Sequence, residues 1–380
     1  MAKPLRLAVV HIGLVGATMM RGNYPSLETT GSRKSVRSLL PAAAFSMLII
    51  ASTPRASLAD EGGVSFWLPG LFGSLAAVPG TPGFSFTNIL YNTNVSAGAN
   101  VAAARAITIS ALNPTLRANF AAHLTADSGF DFANLDYVFA TPVLGGQASV
   151  ALGGLFGRTV VDVNGFLTAS LGPFVAGRPL NIDSGVTGFG DLYPQVYLKW
   201  NEGVNNFMIY GFGDIPVGAY ESTRLANLGI GHGAADAGAG YTYFDPTKGH
   251  EFSAVGGFTY NLENPSTNYQ NGVDFHLDWG ASQFLSKQFL VGVVGYLYQE
   301  IGCDSGSGDH VGCFQSRVVG LGPQVGYLFP VGDLQGYLNL KAYGEFAAQD
   351  RPDGWNIWLT FSIAPAAPTQ TAAKAPMVYK

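Results

Sequence analysis

The sequence predicts an all-β fold, a closed antiparallel transmembrane barrel of about fourteen strands. Three observations predict it. Apolar and polar residues alternate with period two through most of the chain after residue 83. The connections between these segments alternate between short and long. No apolar run after residue 60 reaches the ~18 residues a membrane helix needs, yet charged residues make up only 12%, about half of the ~25% usual in soluble domains. The 20 Lys and Arg against 25 Asp and Glu form no basic stripe of the kind that holds nucleic acid.

The first 59 residues hold seven of the basic groups and one acid, Glu28. Residues 33–37 (RKSVR) read as a basic n-region, residues 38–52 as an apolar h-region, and Ser57-Leu58-Ala59 as a cleavage site. They predict a signal region over 1–59. Leu5 to Met20 is a second apolar stretch, with Met19 or Met20 as the alternative translation start. Residues 60–83, rich in Gly, Pro and apolar groups, have no period. Two readings stand open for them, a plug folded into the lumen and a lead-in lying in the periplasm.

Strands are predicted at 84–92, 105–112, 116–125, 131–140, 146–161, 188–200, 205–215, 238–245, 250–260, 272–285, 288–300, 314–329, 334–346 and 355–363. Each ends on turn residues. Residues 365–380 read as a disordered Ala/Pro/Thr tail. Short connections fall at 201–204, 246–249, 286–287 and 330–333, and long ones at 163–187, 216–237, 261–271, 301–313 and 347–354. Such sorting is expected of an outer-membrane barrel, with tight periplasmic turns, longer outer loops and both termini periplasmic. Lipid requires the barrel to close, because an open edge would leave backbone groups unpaired in hydrocarbon. Tyr91, Tyr193, Trp200, Tyr260, Trp279, Tyr298, Tyr327, Tyr343 and Trp355 lie near strand ends, as an interfacial girdle would.

Some residues carry candidate chemistry. Asp274, His276 and Asp278 alternate with an apolar face that must meet lipid, so all three point to the lumen. Successive residues on one strand face are ~7 Å apart, too far for one ion to bridge, so a polar lumen wall is expected rather than a metal site. Lys341 and Glu345 share that interior; such charges set selectivity in a channel or offset one another's burial. Cys303 and Cys313 share one loop and, in an oxidising compartment, are expected to form a disulfide worth about 2–3 kcal/mol. Segment 288–300 is apolar on both faces, with Leu290, Val294, Tyr296 and Tyr298 on one of them. Lipid explains one face; the other predicts apolar surface inside, for a permeant or for a plug. No HExxH, GxSxG or GxxxxGK[ST] motif occurs, so no catalytic residue, metal or cofactor is expected.

Several stretches carry a resemblance: 249–261 (GHEFSAVGGFTYN), 263–265 (ENP), 267–272 (TNYQNG), 275–279 (FHLDW), 322–327 (GPQVGY), 350–356 (DRPDGWN), 190–194 (GDLYP) and 216–220 (PVGAY). Together they resemble the transporter-like family named for the meta-pathway of phenol degradation, over roughly residues 60 to 364. The resemblance implies an outer-membrane channel of a Gram-negative bacterium for passive uptake of small hydrophobic or aromatic compounds. The alternatives are an outer-membrane enzyme acting on lipid and a structural or adhesive surface barrel. The partners implied are the lipid bilayer, the permeant and the barrel-assembly machinery. One departure stands out: many such barrels end on an aromatic residue, whereas 19 residues follow Phe361 here.

Overall fold

The computed structural model describes residues 65–113, 115, 120–171, 174–310, 312–313 and 315–367. The predicted signal region and the tail from 368 onward lie outside them. Among the described residues the chain forms β1 (Gly83–Ala97), α1 (Ala99–Thr108), β2 (Phe120–Val138), β3 (Gln147–Leu171), β4 (Phe174–Glu202), β5 (Asn205–Gly213), β6 (Ala234–Asp245), β7 (His250–Asn261), β8 (Asp274–Phe284), β9 (Phe289–Glu300), β10 (Arg317–Val331), β11 (Leu334–Gln349) and β12 (Asp353–Pro365). Each strand pairs antiparallel with its sequence neighbours, and β1 pairs with β12 to close the barrel. An even strand count brings the start of β1 and the end of β12 to one rim, where Phe86 faces Ile363.

The count is twelve rather than fourteen, for two physical reasons. The first half of the segment 105–112, expected as a strand, falls on the end of α1, whose sequence ANVAAARAIT is dominated by the best helix former and lacks alternation. The segments 116–125 and 131–140 form one strand, β2, because the turn-like Asp127-Ser128-Gly129 between them pairs with β1 opposite Asn94, Thr93 and Asn92. Asn94 donates to Asp127 across that pair at 2.8 Å.

Loop sorting survives with changed lengths. Tight turns join β4 to β5, β6 to β7, β8 to β9 and β10 to β11 at the rim where β1 starts and β12 ends, and Gly203 and Gly332 adopt the positive φ that two-residue turns require. Two expected long loops are shorter. Residues 163–187 belong mostly to β3 and β4, which run on as a hairpin beyond the reach of β5. Residues 347–354 shrink to the three between β11 and β12. β5, with nine residues, spans roughly 23 Å at a tilt of about 40°, close to the ~25 Å apolar band of outer-membrane barrels.

Outward residues form the apolar face. Phe207, Ile209, Phe258, Val293, Leu340 and Phe361 are exposed. Of the nine predicted girdle aromatics, Trp200, Tyr260, Trp279, Tyr327 and Trp355 follow the outward parity of their strands. Tyr91, Tyr193, Tyr298 and Tyr343 belong to the opposite parity and pack inside.

The disulfide Cys303–Cys313 closes part of the β9–β10 loop. That loop is braced against the β7–β8 loop by paired Gln270 and Ser305 backbone groups, 2.9 Å in each direction. Reduction should therefore loosen residues 301–316 by about 2–3 kcal/mol of loop entropy and leave the barrel standing. Limited proteolysis should show faster cleavage there, with unchanged mobility of the unheated protein in detergent gels.

Candidate functional site

The interior is built by strand parity. Residues 274, 276, 278 and 282 of β8, 341, 343 and 345 of β11, and 356 and 358 of β12 all turn inward, and most are almost fully buried. They are buried because the segment Ser65–Thr81 runs inside the ring. Its apolar residues pack into the wall: Phe66 and Trp67 with Met208, Tyr210, Phe212 and Val255, and Leu68 and Leu71 with Ile89, Tyr296, Tyr298 and Trp358. The apolar inner face of β9 thus meets this segment.

A segment without regular structure must satisfy its backbone polar groups elsewhere, and inward side chains do so here. Asp278 accepts from Gly70 N (2.8 Å) and Phe72 N (3.0 Å). Glu251 accepts from Leu75 N (2.9 Å), and Thr242 from Ala77 N (3.0 Å). Lys341 Nζ donates to the carbonyls of Gly70 (2.6 Å), Leu71 (3.2 Å) and Phe72 (3.3 Å). Lys199 Nζ does the same for Ala76 (2.8 Å) and Val78 (3.4 Å). Buried carboxylates take N–H groups and buried ammoniums take carbonyls, so each charge is compensated by backbone dipoles. Gly70 makes the turn at the centre; it has φ +93°, and a Cβ there would press on Tyr343 and Tyr296 at 3.1–3.2 Å.

The five predicted lumen residues therefore all face the interior but do not share one site. Asp278 and Lys341 hold the same short piece of the inner segment. His276, fully buried, has Nε2 2.8 Å from Asp236 Oδ2 and lies stacked on Trp67 with ring centroids 3.6 Å apart. Asp274 accepts from Asn261 Nδ2 at 3.1 Å. Glu345, near the loop rim, accepts from Tyr296 OH (2.6 Å), Asn356 Nδ2 (3.3 Å) and Gly354 N (3.0 Å). Sequence reasoning missed Glu251 and Lys199. Both obey the parity that exposed the others, so the signal was present.

Cavities line the opposite wall, β1 to β4. At the loop rim one of about 110 Å3 lies below α1 and the β5–β6 loop, bordered by Tyr91, Phe130, Val161, Leu225, Arg105, Glu345 and Arg351. Deeper, about 60 Å3 is enclosed by Phe66, Trp67, Tyr91, Phe130, Phe132, Tyr193, Phe212 and Trp358. Leu68, Tyr91 and Phe130 border both. At the other rim a polar cavity of about 210 Å3 is lined by Thr87, Asn134, Asp136, Ser149, Tyr197 and Lys199 beside Val78–Thr81. Along β4, Tyr193 and Gln195 border the middle cavity and Tyr197 and Lys199 the last, so this one wall passes from aromatic to polar.

The loop-rim end is roofed by α1 and residues 214–233. Asp191 ties the two limbs of this roof, accepting from Gly218 N (2.7 Å) and Ile230 N (2.8 Å). Asp214, the first residue beyond β5, is buried at 8% exposure, and neither carboxyl oxygen has a hydrogen-bond partner among the described residues. Burial, and secondarily the neighbouring Asp191 carboxylate, push its pKa up to about 8 from 3.8. A carboxyl raised by folding favours the folded form most below pH 4, and that contribution is lost as pH rises toward and through 8. Protection factors in residues 214–233, measured against the base-catalysed intrinsic exchange rate, should thus fall between pH 5 and 9 in the native chain, and Asp214→Asn should flatten that dependence.

This architecture can be set beside known proteins. Among curated protein sequences, none matches this chain. Among solved structures, an outer membrane channel from Pseudomonas putida F1 superposes with a TM-score of 0.51 at 13% identity, over 74% of this chain and 96% of that one. A Pseudomonas aeruginosa FadL homologue (TM-score 0.33, 11% identity, 74% of this chain and 89% of that) and the CymD monoaromatic hydrocarbon channel (0.32, 7%, 76% and 89%) are more distant. The first supports the barrel fold alone. The family model described as "Putative MetA-pathway of phenol degradation" matches residues 91–361, most of the barrel, and the chain belongs to that family.

Proposed function

We propose that this protein is an outer-membrane channel through which small hydrophobic or aromatic molecules diffuse passively. The observation that carries the reading is the run of cavities down the β1–β4 wall, with an aromatic box at mid-depth. An apolar ring gains from burial there at about 25 cal/mol per Å2, while the polar cavity below releases it toward water. The rim where β1 starts and β12 ends faces the periplasm, and residues 65–81 act as a plug anchored on the β6–β11 wall. Lys199 lines the polar cavity at the exit, where its ammonium holds Ala76 and Val78 of the inner segment. The route needs no chemical step. The Pseudomonas putida protein that shares this fold is an outer membrane channel, which is consistent with this reading.

Reconstituted liposomes with a lipopolysaccharide outer leaflet, a barrier to apolar solutes that a plain phospholipid bilayer is not, provide the test. Vesicles holding the protein should take up toluene-sized aromatics several-fold faster than empty vesicles, and glucose no faster. Equal rates for toluene in loaded and empty vesicles would overturn the channel.

A further inference from the structure

We infer that the β2–β3 turn, residues 139–146, dips into the phospholipid of the periplasmic leaflet and fastens one side of the exit mouth to the membrane surface. The inference rests on the outer-membrane orientation proposed above and adds a lipid contact beyond the barrel wall.

The sequence sets this turn apart. Residues 139–146 (FATPVLGG) carry no charge, whereas every other tight turn at this rim holds a charged residue or, at 203–204, follows Glu202. Phe139, Val143 and Leu144 are exposed, Leu144 at 84%. Val143 and Gly146 exchange backbone hydrogen bonds of 2.8 Å in both directions. Leu144 and Gly145 are left as a two-residue turn, with φ +48° and +74°. Such turns prefer Asn followed by Gly, because both central residues need positive φ. A branched apolar residue is disfavoured there, and in water its exposed side chain returns nothing. In hydrocarbon, burial of the same side chain offsets the backbone strain.

The contacts give the direction. Trp200 has the outward parity of β4, and its Nε1 donates to Leu144 O at 3.1 Å. Gly146 lies against the same indole; a Cβ there would stand 2.7–2.8 Å from Nε1 and Cε2. The turn thus leans to the lipid-facing side of the wall rather than across the lumen. Indole favours the interfacial zone of a bilayer, so this contact sets Leu144 at that depth. Phe84, Tyr137 and Phe139 carry the outward apolar face down to the turn, with successive ring centroids 4.7 and 5.2 Å apart. The exposed patch is therefore continuous with the surface that lipid covers. Val138 and Gln147, on either side of the turn, line the polar exit cavity, so an anchored turn holds that side of the mouth at the membrane.

Leu144→Cys, labelled with the fluorophore NBD, tests the placement in lipid nanodiscs holding the full folded protein. The two native cysteines are joined to each other, so the introduced thiol is the one that reacts. Lys287→Cys, in the β8–β9 turn at the same rim, is the control. Label at 144 should be quenched several-fold more than label at 287 by lipids with a nitroxide high on the acyl chain, and several-fold less by aqueous iodide. Equal iodide quenching at the two positions overturns the inference, as does a label at 144 shielded from both quenchers, which would mean contact with protein. Leu144→Asn tests the native turn without a label. Asn suits the positive φ better than Leu, so the change stabilises a turn in water and destabilises one in lipid. The midpoint of urea unfolding from vesicles should therefore fall, and a midpoint that rises or stays in place overturns the inference. Neither measurement depends on permeation. Label at 144 in water together with toluene uptake removes the anchor and leaves the channel, whereas label in lipid without toluene uptake removes the channel and leaves the anchor.

Discussion

Replacing Lys341 with Met and Asp278 with Asn together should release residues 70–72 from the wall and raise ion conductance in planar bilayers well above that of the native protein. The argument is one of bond type. Lys341 makes three contacts to the inner segment and Asp278 two, and every one has a charged partner. Charge-assisted hydrogen bonds of this kind contribute about 1.5–3 kcal/mol each. They are not additive, but losing the set removes several kcal/mol of anchoring. The pair must be changed together. Either single variant leaves one charge buried at 1–3% exposure without its neighbour, a fault that costs about 3–5 kcal/mol and threatens the barrel itself. The double variant removes both charges, so its barrel should keep its unheated gel mobility while residues 65–81 become accessible to protease. A correctly folded double variant with native conductance would show that this segment does not close the channel.

Much of this was legible in the sequence, because parity in a barrel is strict. The alternation around Asp274, His276 and Asp278, and around Lys341 and Glu345, assigned each to the interior, and each is there. The apolar second face of β9 showed that something apolar lies inside; it packs on Leu68 and Leu71. What parity cannot supply is the partner. Nothing in the one-dimensional pattern says that Asp278 meets the backbone of residues 70 and 72, about two hundred positions away. Local signals failed where tertiary pairing overrode them. The Asp127-Ser128-Gly129 turn signal lost to a full ladder with β1. Gly165, Gly177, Pro179 and Gly185 made 163–187 look like a loop until β3 and β4 extended their pairing through them. At 105–112 the error was one of period, since an alanine-rich stretch has too few large side chains to display one.

Trp67→Ala should have the opposite character, a gain in permeability confined to apolar solutes. Trp67 is 1% exposed, stacks on His276, and has ring contacts to Phe72, Tyr210 and Phe212 at 5.7–6.1 Å between centroids. Truncating a buried Trp to Ala typically costs about 3–5 kcal/mol, which here falls on the docking of residues 65–68. The ionic anchors at 70–78 remain, so the segment should stay in place. The middle cavity, of which Trp67 is a wall, should enlarge while keeping Phe66, Phe132, Tyr193 and Phe212 around it. A larger apolar cavity admits a larger ring but gives a hydrated ion or sugar no new partner. Vesicles carrying this variant should thus pass naphthalene several-fold faster than native vesicles, with glucose uptake and ion conductance unchanged. Faster leakage of ions and sugars together would mean that Trp67, and not the lysine and carboxylate contacts, holds the segment. Unchanged naphthalene flux with the segment still protected from protease would place the route elsewhere than along the aromatic box.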